Sequence, residues 1–250
     1  MYTELKPKYL SNFVDSIWFC DSDVDPDEGH VSPLSMSPQL VLKIYQTDIE
    51  TVLSGPVTQQ KRYPLVEEAT YFGIQFAPSI GPAFDDVLLK DLKDTSIDID
   101  KLLGFDLRLL AHQLQASHSW GDQSKLLERT LSRNYPEATS FLNQNVLQAM
   151  YIADQAWGNI SIKSLAAQVG ISKRHLERLF LRHIGVSPKT FCTNLRMQRV
   201  LDKLNNPQFI SLAQLALECG YSDQSHLSNE FRRAMGQSIL DYLSAPNGAG

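Results

Sequence analysis

Leu165-Ala166-Ala167-Gln168-Val169-Gly170-Ile171-Ser172 is matched fifty residues later by Leu215-Ala216-Leu217-Glu218-Cys219-Gly220-Tyr221-Ser222. After one inserted residue the match continues at an offset of 51: His175-Leu176 with His226-Leu227, Phe180 with Phe231, Gly185 with Gly236, Phe191 with Tyr242. Each copy reads as a helix, a tight glycine-centred turn and a second helix. That is the helix-turn-helix pattern, present twice, over about residues 161–185 and 211–236. Two such units in one chain can offer two reading helices to one DNA face without a dimer.

Local chemistry supports this in each copy. Ser161 and Ser211 suit N-caps, the latter with Gln214 in capping-box position. Gly170 and Gly220 stand where a helix end needs positive φ, and Ser172 and Ser222 are placed to cap the helices that follow. Leu176, Leu179, Phe180 and Ile184 form the apolar stripe of the first of these; Leu227, Phe231 and Met235 form that of the second. Between the copies, Ser187-Pro188 opens a linking helix over 188–204 that Asn205-Asn206-Pro207 closes. If the reading helices enter successive major grooves on one face, they sit about 34 Å apart.

The run Leu165-Ala166…Gly170-Ile171-Ser172…Leu176…Arg178…Phe180…Gly185-Val186-Ser187-Pro188…Phe191 resembles the AraC/XylS family of bacterial transcription regulators. So do Arg196-Met197…Val200…Leu204 and Ala216…Gly220-Tyr221-Ser222…Ser225-His226-Leu227-Ser228…Phe231-Arg232…Gly236. The likeness covers about residues 150–245. It implies base-reading positions at Arg174, Glu177 and Arg178 in copy one and at Gln224, Ser225, His226, Ser228 and Asn229 in copy two. Lys173, Arg182, Arg232 and Arg233 complete the expected DNA-contact set. Arg suits guanine, and Asn or Gln suits adenine. Glu177 would accept from a cytosine amino group or tune specificity by repulsion. The sequence departs from the family at Asn229, where Arg is usual, and at Gln237-Ser238-Ile239, which replaces a small-Pro start to the last helix. The implied partner is double-stranded promoter or operator DNA, with RNA polymerase and a second copy in a homodimer as further candidates; the implied class is a transcription factor, an activator or a repressor according to promoter geometry.

Charge divides the chain in the same place. Residues 1–149 hold 12 Lys and Arg against 21 Asp and Glu, a balance of −9; residues 150–250 hold 11 against 7, a balance of +4. A basic module suited to a polyanion thus follows an acidic one that is not. The N-terminal Met1-Tyr2-Thr3-Glu4-Leu5-Lys6 lacks the apolar run of a signal peptide, and no stretch reaches transmembrane length, so a cytoplasmic chain without membrane contact is expected. Cys20, Cys192 and Cys219 lack zinc-ligand spacing and read as small apolar packing residues.

The first half reads as short strands, at 13–19, 39–45, 70–76 and around 52–54, with the pattern turning helical from Gly81. Leucines at 102–131 recur at helical spacing and suit either a dimer face or burial within one subunit; 141–157 reads as a helix leading into the first unit. Val52-Leu53-Ser54-Gly55-Pro56, Phe72-Gly73-Ile74-Gln75-Phe76 and Asp91-Leu92-Lys93-Asp94 resemble the sensor-type domain of one branch of the family, with Ser37-Pro38-Gln39 where Pro-Asp-Gly is usual. Trp18, Tyr45, Tyr71, Phe72 and Phe76 suit either an aromatic effector pocket or an ordinary core. Asp21-Ser22-Asp23-Val24-Asp25 has the alternation of a calcium loop, but Pro26 replaces the required Gly and Ser32 the closing Glu. His112, His118 and Trp120 suit a pocket or a surface.

These readings give an α+β domain over 1–140 and an all-α domain of two helix-turn-helix units over 141–250. The expected function is sequence-specific, effector- or association-controlled transcription regulation; the alternative is a protein-interaction regulator with weak or no specific DNA binding. No catalytic constellation or cofactor site is expected. A fused alkyl-acceptor repair domain would need clustered thiols, and the first half holds Cys20 alone.

Overall fold

The computed structural model describes residues 2–21, 30–46, 48–63, 69–84, 87–102, 104–117, 119–140, 142–205 and 211–244. Residues 22–26 of the acidic loop, Leu103, His118, Phe141 and Asn206-Pro207 lie outside them.

The first half is built on antiparallel strands: β1 (Tyr2–Leu5), β2 (Val14–Asp21), β3 (His30–Ser32), β4 (Gln39–Ile44), β5 (Ile49–Ser54), β6 (Lys61–Tyr63), β7 (Thr70–Phe76), β8 (Ser96–Asp98), β9 (Lys101–Leu102) and β10 (Phe105–Asp106). Six of them form one sheet in the order β1-β2-β7-β4-β5-β8, while β3 pairs with β6 and β9 with β10. Alternation decides the faces. Leu40, Leu42, Phe72, Ile74 and Phe76 point inward and are fully or almost fully buried. They pack with Phe13, Ile17 and Leu53 beneath two helices, α1 (Leu107–Gln115) and α2 (Trp120–Ser140). Each such side chain contributes about 1.5–3 kcal/mol on burial.

Helix begins later than Gly81. The chain first makes two 3-10 turns, Pro78–Phe84 and Leu89–Leu92, then β8 to β10, because Ser96–Asp98 adds an edge strand to β5. The leucines of 102–131 resolve toward the interior: Leu102, Leu107, Leu110, Leu114, Leu127 and Leu131 are buried in the sheet's own core, with Leu109 left exposed. Helix α2 runs on through Pro136 to Ser140.

The second half is α3 (Gln144–Gln155), α4 (Ile162–Val169), α5 (Lys173–His183), α6 (Pro188–Leu204), α7 (Leu212–Glu218), α8 (Gln224–Met235) and α9 (Ile239–Ser244). It has two cores. Phe191 and Cys192 of α6 serve the first, with Leu165, Leu176 and Phe180. Met197, Val200 and Leu204 of the same helix serve the second, with Leu215, Leu227 and Phe231. The linking helix is therefore shared by both units. Cys192 and Cys219 are buried, whereas Cys20 is only half-buried, against the packing role expected of all three.

Candidate nucleic-acid interface

The first unit turns as its sequence requires. Ser161 Oγ caps α4 by accepting from the Ser164 amide at 3.0 Å. Gly170 adopts φ +79, the left-handed conformation that lets its amide and that of Ile171 bond back to the end of α4. Ser172 Oγ then accepts from the His175 amide at 3.2 Å and starts α5. Leu176, Leu179, Phe180 and Ile184 are buried, with Phe180 edge-on to Phe191 at 5.6 Å. The opposite face leaves Lys173, Arg174, Arg178 and Arg182 exposed and Glu177 half-buried. Glu177 is paired with Lys173 at 3.6 Å, one turn apart, a contact worth a few tenths of a kcal/mol.

The second unit repeats the plan with two changes. Ser211 Oγ accepts from the Gln214 amide at 3.2 Å, but the Gln214 side chain donates to Glu218 at 2.8 Å instead of turning back, so the capping box stays open. Asp223, not Ser222, caps α8: its carboxylate accepts from the His226 amide at 2.8 Å. The single inserted residue moves the cap one place on. That amide bond, with a second from the Ser222 hydroxyl, holds the Asp223 carboxyl below its usual range. Along α8, Leu227, Phe231 and Met235 are buried; Gln224, Ser225, His226, Asn229, Arg232 and Arg233 are exposed and Ser228 is half-buried. His226 has its own partners, with Nδ1 at 3.1 Å from Ser222 Oγ and Nε2 at 3.8 Å from Glu230. At the last helix, Ser238 and Asp241 cap each other, which supplies the start that the missing proline left open.

One residue joins the units. Arg196 of α6 donates to the Gly158 carbonyl at 3.0 Å, pairs with Glu230 of α8 at 3.7 Å and lies over the Tyr221 ring at 5.5 Å. Nothing in the sequence pattern marks this role, because its partners lie 38 and 34 residues away.

The sheet domain touches both units. A strap at 33–38 places Leu34 in the second core and Met36 in the first. Ser35 and Ser37 on the same strap bond back to Gln75 at 2.9 Å and Asp15 at 2.8 Å. The Gln60 amide donates to the Ala234 carbonyl at 2.6 Å. Pro78–Phe84 lies against the end of α5, so closely that a methyl group on Gly81 would stand 2.6 Å from the His183 carbonyl oxygen. His183 is buried at this contact and hydrogen-bonded to the Ser79 backbone; burial, with Arg182 adjacent, lowers its pKa.

The aromatic residues singled out for an effector divide between the two sheet faces. Phe76 is in the inner core, edge-on to Phe13 and Phe84. Tyr71 and Trp18 share the outer face, where the Trp18 indole covers Gly73 and stacks on Tyr2. Tyr45 follows β4 on the outer register, and burial together with Glu50 pushes its hydroxyl up to about 12. His112 is exposed, while Trp120 packs against Phe19 at 5.9 Å under the sheet.

Compared with known proteins, residues 165–245 match a helix-turn-helix domain family and residues 4–98 match a domain of unknown function. The HTH-type transcriptional activator RhaS of Escherichia coli O139:H28 is 28% identical over 123 residues, covering 49% of this chain and 43% of that protein. The XylDLEGF operon transcriptional activator of Pseudomonas putida is 30% identical over 123 residues, 48% of this chain and 38% of its own. The chain thus spans less than half the length of these relatives. A crystal structure of an AraC-type DNA-binding domain protein from Chromobacterium violaceum is 26% identical, with a TM-score of 0.38 over 41% of this chain and 95% of that one.

Proposed function

We infer, for a chain that belongs through its C-terminal helix-turn-helix pair to the AraC/XylS family of bacterial transcription regulators, that it binds specific DNA and regulates transcription under the control of its N-terminal domain. One observation carries this reading. Two capped helices, α5 and α8, each bury one apolar stripe and expose a polar N-terminal half, the part of a recognition helix that reaches base edges. Arg174, Arg178, Gln224, Ser225 and Asn229 are read as the base contacts. Lys173, Arg182, Arg232 and Arg233 are read as phosphate contacts that set register. Glu177 and His226 already hold partners on their own helices, and Ser228 is half-buried, so their part is to orient neighbours or to tune specificity.

The N-terminal domain is suited to control because its strap enters both helix-turn-helix cores while its hydroxyls hold the sheet. A small-molecule effector taken on the outer face beside Trp18, Tyr45 and Tyr71 would act through that strap. A homodimer would not use Leu102, Leu107, Leu110, Leu114, Leu127 or Leu131, which are spent inside the subunit. RNA polymerase contact belongs to the same proposal.

Selection of bound duplexes from a random pool tests the reading. Two short fixed blocks about one helical turn apart are expected. Enrichment of no shared sequence would overturn it in favour of a protein-interaction regulator.

A further inference from the structure

Beside α5 runs a groove of about 660 Å³ whose far wall belongs to the N-terminal domain. Arg174, Arg178 and Arg182 line one side, spaced four residues apart and so stacked on one helix face. Lys90, on the 3-10 turn Leu89–Leu92, lines the other. Leu88 and Leu181 complete the walls although they are 49% and 42% exposed. Among the described residues no carboxylate lines the groove.

Four cations facing one cleft repel one another. Apolar walls of low dielectric sharpen the field they create. Elsewhere in this acidic half four cations have a carboxylate partner close by: Lys43 with Glu50, Lys93 with Asp94, Arg108 with Asp100, Lys125 with Asp122. Among the described residues no carboxylate pairs with Lys90 in that way. A lysine that faces three arginines of a reading helix across one groove calls for an extended polyanion between them.

We propose that Lys90 of the N-terminal domain contacts the DNA phosphate backbone, so that the duplex strand flanking α5 lies in this groove between the two domains. The proposal rests on the reading of α5 as a DNA-binding helix. Lysine can serve this position, because its ammonium binds a phosphate as a compact point charge without a fixed fork geometry. The consequence is that the N-terminal domain forms part of the DNA-binding surface, and that any movement of the turn Leu89–Leu92 changes affinity directly.

The test uses the full chain and a labelled random-sequence duplex, followed by fluorescence anisotropy between about 50 and 200 mM salt. Lys90→Ala is expected to reduce the slope of log K against log salt by about 0.9, the loss of one released counterion. Arg182→Ala is expected to do the same, whereas Lys93→Ala, which removes a locally paired charge, leaves the slope unchanged. A wild-type slope in Lys90→Ala, or tighter binding by it, overturns the proposal while leaving α5 as the reading helix. Absence of any salt-dependent binding by the wild-type chain would overturn both.

Discussion

In the first unit α5 starts from a neutral Ser172 cap, exposes Arg174, Arg178 and Arg182, and lies against the turns Pro78–Phe84 and Leu89–Leu92. In the second, α8 starts from the carboxylate of Asp223, exposes Gln224, Ser225 and Asn229, and meets the sheet domain near its far end, through the Ala234 carbonyl. Three buried residues match, Leu176 with Leu227, Phe180 with Phe231 and Ile184 with Met235, while buried Leu179 stands at the place that Glu230 holds in the second unit. Burial therefore fixes the two helices alike, and their exposed faces are free to specialise. The first is built for charge, which acts on any sequence. The second presents amides and hydroxyls, the groups that pair with base edges, over its N-terminal half, with Arg232 and Arg233 toward its end. On this comparison we expect the first unit to supply more of the anchoring and the second more of the discrimination.

The largest test removes each core ring in turn. Phe180→Ala and Phe231→Ala each delete a fully buried side chain and should each cost about 3–5 kcal/mol in urea unfolding. The cores are distinct clusters that share α6 and the 33–38 strap, so the functional losses should differ. Phe231→Ala is expected to lose sequence discrimination yet keep most salt-dependent affinity, and Phe180→Ala the reverse. Identical losses in the two variants would break the division of labour.

A smaller test stays on the surface. Gln224→Ala should cost about 1–3 kcal/mol at one or two base pairs of the selected site and leave the salt slope intact. Arg178→Ala decides whether α5 also reads. A loss confined to one base pair makes it a base contact, and a uniform loss across sequences makes it a phosphate contact.

Which parts of this were legible beforehand follows from the range of the forces. Turn glycines, caps and stripes act within about four residues, so 188–204 and both units could be placed from sequence. The sequence pattern puts the cap of α8 one place early, at Ser222; the offset that grows from 50 to 51 there is the signal for Asp223. Strands β2, β4 and β7 were visible through alternation. The short β8 to β10 were not, because Ser96–Asp98 is held by its pairing with β5 and has no apolar face of its own. The strap at 33–38, the Arg196 link and the Gly81 contact depend on partners tens to more than a hundred residues away, which no local pattern carries.

The docking of the first unit should depend on pH. His183 is buried with its pKa lowered, so the docked state favours the neutral ring. The separated or unfolded chain, with its ring near pH 6.5, takes up the proton first as pH falls. Stability is thus fully present above that value and declines below it. The thermal midpoint is expected to drop between about pH 7.5 and 5.5, and His183→Gln should flatten the drop. An unchanged pH dependence in that variant would assign the effect to other groups.

The smallest expected effect bears on the cap that distinguishes the units. Asp223 stabilises α8 through its ionised carboxylate, whose lowered pKa means that the benefit holds above the ordinary carboxylate range and is lost as pH falls through the folded value. With α8 docked on DNA as proposed, the same charge would face phosphates. Asp223→Ser keeps a cap of the kind Ser172 provides, where the hydroxyl accepts from the amide three residues on, and removes the charge. Its thermal midpoint at neutral pH should scarcely move, its acid-induced loss of stability should lessen, and its affinity for random-sequence DNA should rise modestly at low salt, with the gain fading as salt screens it. Asp223→Ala separates the two roles, since it loses the cap as well as the charge and should melt earlier while showing the same gain in affinity. If neither variant binds random DNA more tightly at low salt, Asp223 does not approach the polyanion, and the second helix must engage DNA in a geometry different from that of the first.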